Sequence, residues 1–180
     1  MVAKCLRLSN WAIICVALAF HGASEPLLAE SAVNLAQTPE HSITLAEQLL
    51  RQGYKQFQAK QYKAALLSYD QVFTICQQIK HLECMTKALD SKGFVHASIG
   101  QYPQAVEAFQ TSLVLIRQTG DRNREAIALN NLGATYQRLG QYSKALEIAQ
   151  QALVLYRQMG DRVGEGYALN NVGGIYQSLG

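Results

Sequence analysis

Residues that could perform covalent chemistry are few in this 180-residue sequence and lie far apart. Cys76 and Cys84 have no accompanying His/Asn set, and His96 is the only imidazole that follows closely. The sequence has no paired carboxylates and no G-x-x-x-x-G-K-[S/T] phosphate loop. None of the helix-borne serines lies in a G-x-S-x-G elbow: Ser68, Ser98, Ser112 and Ser143. Because a nucleophile needs a base and an oxyanion donor within reach, we expect no catalytic residue and no enzyme.

Metal, cofactor and nucleic-acid binding are equally poorly supported. The four histidines, at positions 21, 41, 81 and 96, never pair at i, i+4, and no C-x-x-C occurs. We therefore predict no metal site and no cofactor. The net charge is +3 and there is no run of Lys or Arg, which argues against a nucleic-acid partner. A hydrophobic content of 49% with 16% charged residues favours a folded chain.

The elements that would position any binding site repeat every 40 residues. Residues 129–140 read LNNLGATYQRLG, residues 169–180 read LNNVGGIYQSLG, and residues 89–100 read LDSKGFVHASIG. The same register places four glycines and three alanines one period apart: Gly53, Gly93, Gly133 and Gly173, and Ala65, Ala105 and Ala145. Self-similarity at this period is the signature of a stacked repeat architecture.

Each period predicts two helices. Apolar residues recur at spacings of three and four, as in the stripe that contains Leu129, Gly133 and Tyr136. Gly120 and Gly160 are placed to end the second helices, and an aspartate follows each of them to cap the next helix. A glycine inside a helix costs about 1 kcal/mol relative to alanine. We therefore interpret Gly53, Gly93 and Gly133 as close helix crossings, each facing the alanine twelve residues later.

This pattern resembles the tetratricopeptide repeat (TPR) in its 40-residue form, which is similar to the arrays of kinesin light chains and of many bacterial proteins. In the third repeat, the matching positions are Leu129, Leu132, Gly133, Tyr136, Ala145, Ala149 and Ala152. The resemblance implies an all-α solenoid of antiparallel helix pairs in a right-handed superhelix. It covers residues 43–180, with repeats at 46–79, 86–119 and 126–159 and an incomplete one at 166–180.

The resemblance also implies a function: a non-catalytic scaffold that binds a protein or an extended peptide in a concave groove. Asparagine is a poor helix former, yet Asn pairs recur mid-helix one period apart. In similar arrays, asparagines at the places of Asn131 and Asn171 bind a peptide backbone. The full candidate groove set is Asn130, Asn131, Gln137, Arg138, Asn170, Asn171 and Gln177. Alternatively, these asparagines satisfy inter-helix groups, or the array is a regulatory fragment of a larger enzyme with a caspase-like peptidase domain.

The N-terminus predicts export. Lys4 and Arg7 precede an unbroken apolar run at 11–20, and Gly22-Ala23-Ser24 fits a signal-peptidase site. We interpret residues 1–24 as a cleaved signal peptide and 25–42 as a linker. The alternatives are a membrane anchor at 11–20, which would bring the chain to a membrane, and a core helix.

Two further expectations concern Cys76, Cys84 and the last helix. The two cysteines lie equally far from a predicted turn, which allows a disulfide. The alternative is two free thiols that point apart, since the positions equivalent to Cys84 are Arg124 and Gly164. The last helix, after residue 166, carries Val172, Ile175 and Tyr176, unlike a polar cap. Self-association through this end is therefore a further hypothesis.

Overall fold

The computed structural model describes residues 38–179, and this part of the chain consists of helices and short turns without a strand. The all-helical prediction is thus confirmed for these residues. The seven helices are α1 (Pro39–Gln58), α2 (Tyr62–Gln78), α3 (Leu82–Ser98), α4 (Tyr102–Thr119), α5 (Arg122–Arg138), α6 (Tyr142–Met159) and α7 (Arg162–Leu179). The predicted signal segment and most of the predicted linker lie outside the described residues. Helix α1 begins at Pro39, inside the range interpreted as linker, because Thr38 caps it by accepting from the His41 amide at 3.3 Å.

Helices α1/α2, α3/α4 and α5/α6 form successive antiparallel pairs, and α7 packs on both α5 and α6. The largest core cluster lies between α4, α5, α6 and α7, and its most completely buried side chains include Phe109, Ile116, Leu129 and Ile175. A second cluster joins α1, α2 and α3 around Val72 and the two cysteines. Each repeat therefore buries its apolar stripes against its neighbours, as a solenoid requires.

The turns follow the predicted chemistry in the later repeats. Gly100, Gly120, Gly140 and Gly160 all adopt left-handed backbone, with φ between 70° and 75°. Asp121 accepts from the Arg124 amide at 3.0 Å, and Asp161 accepts from the Gly164 amide at 3.0 Å. The first repeat differs, because Lys60 (φ 58°) and Lys80 (φ 54°) occupy the left-handed positions there.

Gly53, Gly93 and Gly133 pack closely against the following helix, but two of the three have neighbours other than those expected. At Gly133, a Cβ would lie 3.4 Å from the Ala145 carbonyl oxygen and 3.4 Å from the Ala149 nitrogen, so the expected crossing with Ala145 is present. A Cβ added at Gly53 would instead meet the ring of Tyr69 at 2.6 Å, and one added at Gly93 would meet the ring of Phe109 at 2.6 Å. These aromatics lie sixteen residues after each glycine, so there the space freed by glycine holds a ring.

Cys76 and Cys84 form a disulfide between the end of α2 and the start of α3, with their Cα atoms 5.7 Å apart. The alternative, in which two free thiols point apart, is wrong. Position 84 faces inward across the turn, and Cys84 is buried together with Cys76. At the equivalent place in the last turn, Gly164 is buried and the Tyr156 ring occupies the space that a side chain on it would need.

Candidate peptide-binding groove

The first helices of the repeats, α1, α3 and α5, line two adjacent cavities that share Phe94 and Ser98. The larger cavity, of about 390 Å³, lies between α3 and α5, and α4 closes its floor. Its walls combine apolar and polar side chains: Phe94, Ala97, Ser98, Tyr102, Phe109, Asn131, Ala134, Thr135 and Arg138. We call the two cavities together the groove.

The smaller cavity, of about 210 Å³, forms the aromatic end of the groove. It is lined by Tyr54 and Phe57 of α1, Tyr69 of α2, and Ser91, Phe94 and Ser98 of α3. Burial raises the pKa of Tyr69, and a hydrogen bond with the Ser91 side chain opposes this with a smaller lowering effect. Phe94 packs edge-on against Phe109, with 5.3 Å between ring centroids, yet remains 48% exposed. This end can therefore take up a bulky apolar group.

Arg138 gives the opposite end of the groove its charge. Its side chain is exposed in the cavity wall, and no ion pair engages it among residues 38–179. Asn131 lies in the same wall about two turns earlier in α5 and is half-buried. An unpaired guanidinium beside an amide can bind a carboxylate and a neighbouring peptide group.

Three of the other candidate residues make contacts between helices. The Asn171 amide donates to the Asn130 side-chain oxygen at 2.7 Å and to the Asn130 carbonyl oxygen at 3.3 Å, which joins α7 to α5. Gln137 donates to the Ser178 hydroxyl at 3.2 Å along the same interface. The inter-helix alternative thus describes Asn130 and Asn171, and Gln137 makes a contact of the same kind. Asn170 and Gln177 are exposed on α7 and line neither cavity.

Sequence reasoning missed the aromatic lining of the groove. In the first three repeats, the residue after the packing glycine lines the groove, and in repeat order this residue is Tyr54, Phe94 and Ala134. A large aromatic directly after the glycine in the first two repeats was the available signal. The side chain directly after the packing glycine therefore becomes smaller along the array, and the aromatic end of the groove belongs to repeats one and two.

A cluster of buried and half-buried polar side chains lies where α3, α4 and α5 meet. Arg124 donates to the Thr86 hydroxyl and lies 3.8 Å from the Asp90 carboxylate. Asp90 Oδ1 is buried without a hydrogen-bond partner among the described residues. Burial raises the pKa of Asp90, against smaller lowering effects from Ser112 and Arg124. The equivalent layer of the first repeat is apolar, with Ala46, Leu50, Val72 and Cys84.

Between residues 38 and 179, no group of three or more His, Cys, Asp or Glu side chains is placed to hold a metal ion. None of the helices in this range combines the length and apolar character that crossing a membrane requires.

The tetratricopeptide repeat family model matches residues 84–158. Residues 84–158 therefore carry tetratricopeptide repeats, as the sequence resemblance indicated. No curated protein sequence matches the chain significantly.

Solved structures share the fold at low sequence identity. The apo form of RapI superposes with a TM-score of 0.72 at 18% identity, over 85% of this chain and 55% of RapI. A STAND signal-transduction ATPase with a tetratricopeptide repeat sensor, from Pyrococcus horikoshii, superposes with a TM-score of 0.73 at 18% identity, over 84% of this chain and 24% of the ATPase. A putative kinesin light chain with TPR-like repeats, from Podospora anserina, superposes with a TM-score of 0.66 at 15% identity, over 84% of this chain and 75% of the kinesin light chain. The chain spans about half the length of RapI and a quarter of the ATPase.

Proposed function

We propose that this chain is a non-catalytic scaffold that binds an extended peptide segment of a partner protein in the groove. The observation that carries the proposal is the composition of the groove from end to end. Its aromatic end exposes Tyr54 and Phe94, and its other end presents the unpaired Arg138 beside Asn131. The fitting ligand has a bulky apolar side chain followed by an acidic group, with its backbone along α3 and α5.

The test selects peptides from a random library on the immobilised full chain and measures their affinity for variants. Phe94→Ala and Arg138→Gln should each weaken binding by about tenfold or more, as expected when an aromatic or arginine contact at an interface is removed. Arg122→Gln is the matched control, because Arg122 lines a separate shallow cavity with α6. Binding should also weaken with added salt, and less so in Arg138→Gln. Selected peptides that bind both groove variants like the parent would contradict the proposal.

Export of the chain remains part of this proposal. Its support is the basic segment and apolar run of residues 1–20, together with the Cys76–Cys84 disulfide, since such bonds persist in oxidising compartments. N-terminal sequencing of the protein recovered from its native cells tests it. A mature chain that begins near residue 25 is expected, and a chain that retains residues 1–24 contradicts cleavage.

A second proposal is that the array recruits partners for a larger enzyme. It is supported by the Pyrococcus ATPase, in which similar repeats form the sensor of a much longer protein. Sequencing the gene beyond the codon for Gly180 decides between the two. A reading frame that continues into a further domain supports this proposal, and a stop codon contradicts it.

Self-association is proposed on the apolar residues that α7 exposes, among them Val163, Tyr167 and Tyr176. Light scattering over a range of protein concentrations should show a mass that grows with concentration. Tyr167→Lys should reduce that growth. A constant monomer mass would contradict the proposal.

A further inference from the structure

The three turns that connect successive repeats are built differently. We call them joints: the first spans residues 79–81, the second 120–121 and the third 160–161. The second and third place a glycine in the left-handed conformation and an aspartate at the helix cap. The first places Lys80 in the left-handed conformation, which costs a side-chain-bearing residue about 1 kcal/mol or more. Its cap is His81, whose Nδ1 accepts from the Cys84 amide at 3.2 Å.

The second and third joints also share an arginine–glutamate pair close to the turn, whereas the ion pair that joins α2 to α3 across the first joint is Lys92 with Asp70. Arg117 donates to Glu125 at 2.7 Å across the second joint, and Arg157 donates to Glu165 at 2.8 Å across the third. The equivalent residues at the first joint are Gln77 and Met85, which cannot form an ion pair. Of the three joints, the first therefore has the least favourable turn, and its ion pair lies farther from that turn, at Asp70 and Lys92.

The Cys76–Cys84 disulfide spans this first joint, directly beside its turn. It ties the last turn of α2 to the first turn of α3, and both cysteines belong to the core cluster shared by α1, α2 and α3. Without the bond, two buried thiols would still fill the core as small apolar groups. Loss of the covalent link would thus loosen the joint while leaving the helices formed.

The aromatic end of the groove crosses the same joint. Tyr54 and Phe57 come from α1 and Tyr69 from α2, all before the joint, whereas Ser91 and Phe94 come from α3 after it. Any movement of the first repeat against the second therefore changes this cavity. The opposite end, with Asn131 and Arg138, lies beyond the second joint.

We propose that the Cys76–Cys84 disulfide is a redox lock on the first joint that controls the aromatic end of the groove. Oxidised, the first repeat is held against the second and the cavity is complete; reduced, the first repeat loosens and affinity falls. The consequence for binding rests on the function proposed above, whereas the change at the joint does not.

The chemistry is thiol–disulfide exchange with a dithiol reductant. One reductant thiolate attacks the Cys84 sulfur, which lies in the first turn of α3, where local opening exposes it most readily. The Cys76 sulfur leaves as a thiolate and takes a proton from water. The second reductant thiolate then attacks the mixed disulfide and releases Cys84. Two electrons pass from the dithiol to the bridge, and the dithiol becomes a disulfide; the lock closes by the reverse reaction.

Hydrogen exchange of the full chain tests the lock without any ligand. Cys5→Ser and Cys15→Ser are introduced throughout, so that the buried pair alone can react. Reduction with dithiothreitol should speed amide exchange within residues 39–78 by about tenfold or more, and leave residues 122–159 unchanged. Cys76→Ala with Cys84→Ala is the matched control: it should exchange like the reduced protein and ignore dithiothreitol. Equal exchange in the oxidised and reduced proteins, or two free thiols in the unreduced protein, would overturn the lock.

Binding is measured separately, with a peptide selected on the oxidised protein. Its affinity should fall several-fold on reduction and should not respond to dithiothreitol in the double-alanine variant. Unchanged affinity despite faster exchange would overturn control of the groove. If no peptide can be selected at all, the proposed function fails, whereas the exchange result still decides the lock.

Discussion

Gly133 shows how one repeated residue acquires different surroundings in different repeats. It faces the backbone of α6, which cannot move aside without shifting a helix, whereas Gly53 and Gly93 face aromatic rings. Gly173 occupies the same register, yet a Cβ there would meet nothing within 4 Å. The cost of a larger side chain should therefore depend on the repeat and not on the register alone.

Gly133→Leu should lower the free energy of unfolding by about 1–3 kcal/mol or more, because the added atoms overpack a helix crossing. Gly133→Ala should cost far less, since its Cβ would lie at ordinary contact distance and alanine favours the helix. Gly173→Leu is the control in open space. Denaturant unfolding checks the series, and a Gly133→Leu protein as stable as Gly173→Leu would refute the crossing.

The two predicted groove asparagines should separate on substitution. Asn131→Ala is expected to weaken peptide binding by about 1–3 kcal/mol, if a peptide group is left unpaired, without loss of stability. Asn171→Ala should instead loosen the contact between α5 and α7, because it removes the hydrogen bonds to Asn130. Peptide titration and amide exchange of α7 measure the two effects. The reverse assignment of effects would show that Asn171 is the ligand and Asn131 the structural residue.

Asp90 should make the stability of the fold depend on pH. Burial raises its folded-state pKa above the unfolded value of about 3.9, so the protonated form favours the folded state. This stabilisation is complete below the unfolded pKa and is lost as the pH rises through the folded pKa. Relative to the parent, Asp90→Asn should therefore gain stability toward neutral pH, on the order of 1 kcal/mol. Glu147→Gln, at an exposed position, is the control. Denaturant unfolding at several pH values measures the difference in free energy of unfolding between Asp90→Asn and the parent. A difference that stays the same at every pH would contradict the prediction.

At the scale of elements, the turns decide how firmly each helix pair is held. Glycine adopts the left-handed conformation freely, whereas Lys60 holds it at φ 58° in the turn between α1 and α2. Lys60→Gly should therefore stabilise the protein by about 0.5–1 kcal/mol, partly offset by the greater freedom of glycine in the unfolded chain. The reciprocal Gly100→Lys should destabilise by a similar amount. Thermal unfolding measures the stability of both variants. A destabilised Lys60→Gly or a stabilised Gly100→Lys would show that side-chain contacts in the turn outweigh the backbone preference.

At the scale of the whole described array, stability should vary along the chain, because each repeat contacts only its neighbours. The largest core cluster joins α4 to α7, while the cluster around Val72 is smaller and the first repeat carries both left-handed lysines. Native-state amide exchange is therefore expected to be slowest in α5 and faster in α1 and α2. Uniform protection from α1 to α7 would mean that the array unfolds as a single cooperative unit.

The 40-residue period determined most of the architecture before any coordinates. Helix type, helix pairing and the turns at Gly120, Gly140 and Gly160 follow from local rules: the apolar spacing of a helix, the left-handed preference of glycine and the capping ability of aspartate. The absence of a catalytic motif could also be seen in the sequence. Such features depend on residues a few positions apart, so the sequence carries them directly.

Only the tertiary structure decided which way side chains point between neighbouring helices. The period places Asn131 and Asn171 at one register, yet Asn131 lines the groove and Asn171 reaches Asn130 on the adjacent helix. The ring of Phe109 fills the space at Gly93 although Ala105 had the expected spacing, and Cys84 turns inward although its equivalents suggested exposure. Each outcome depends on how closely two helices cross and on the size of the side chains between them. Those are properties of residues distant in sequence, which no single repeat encodes.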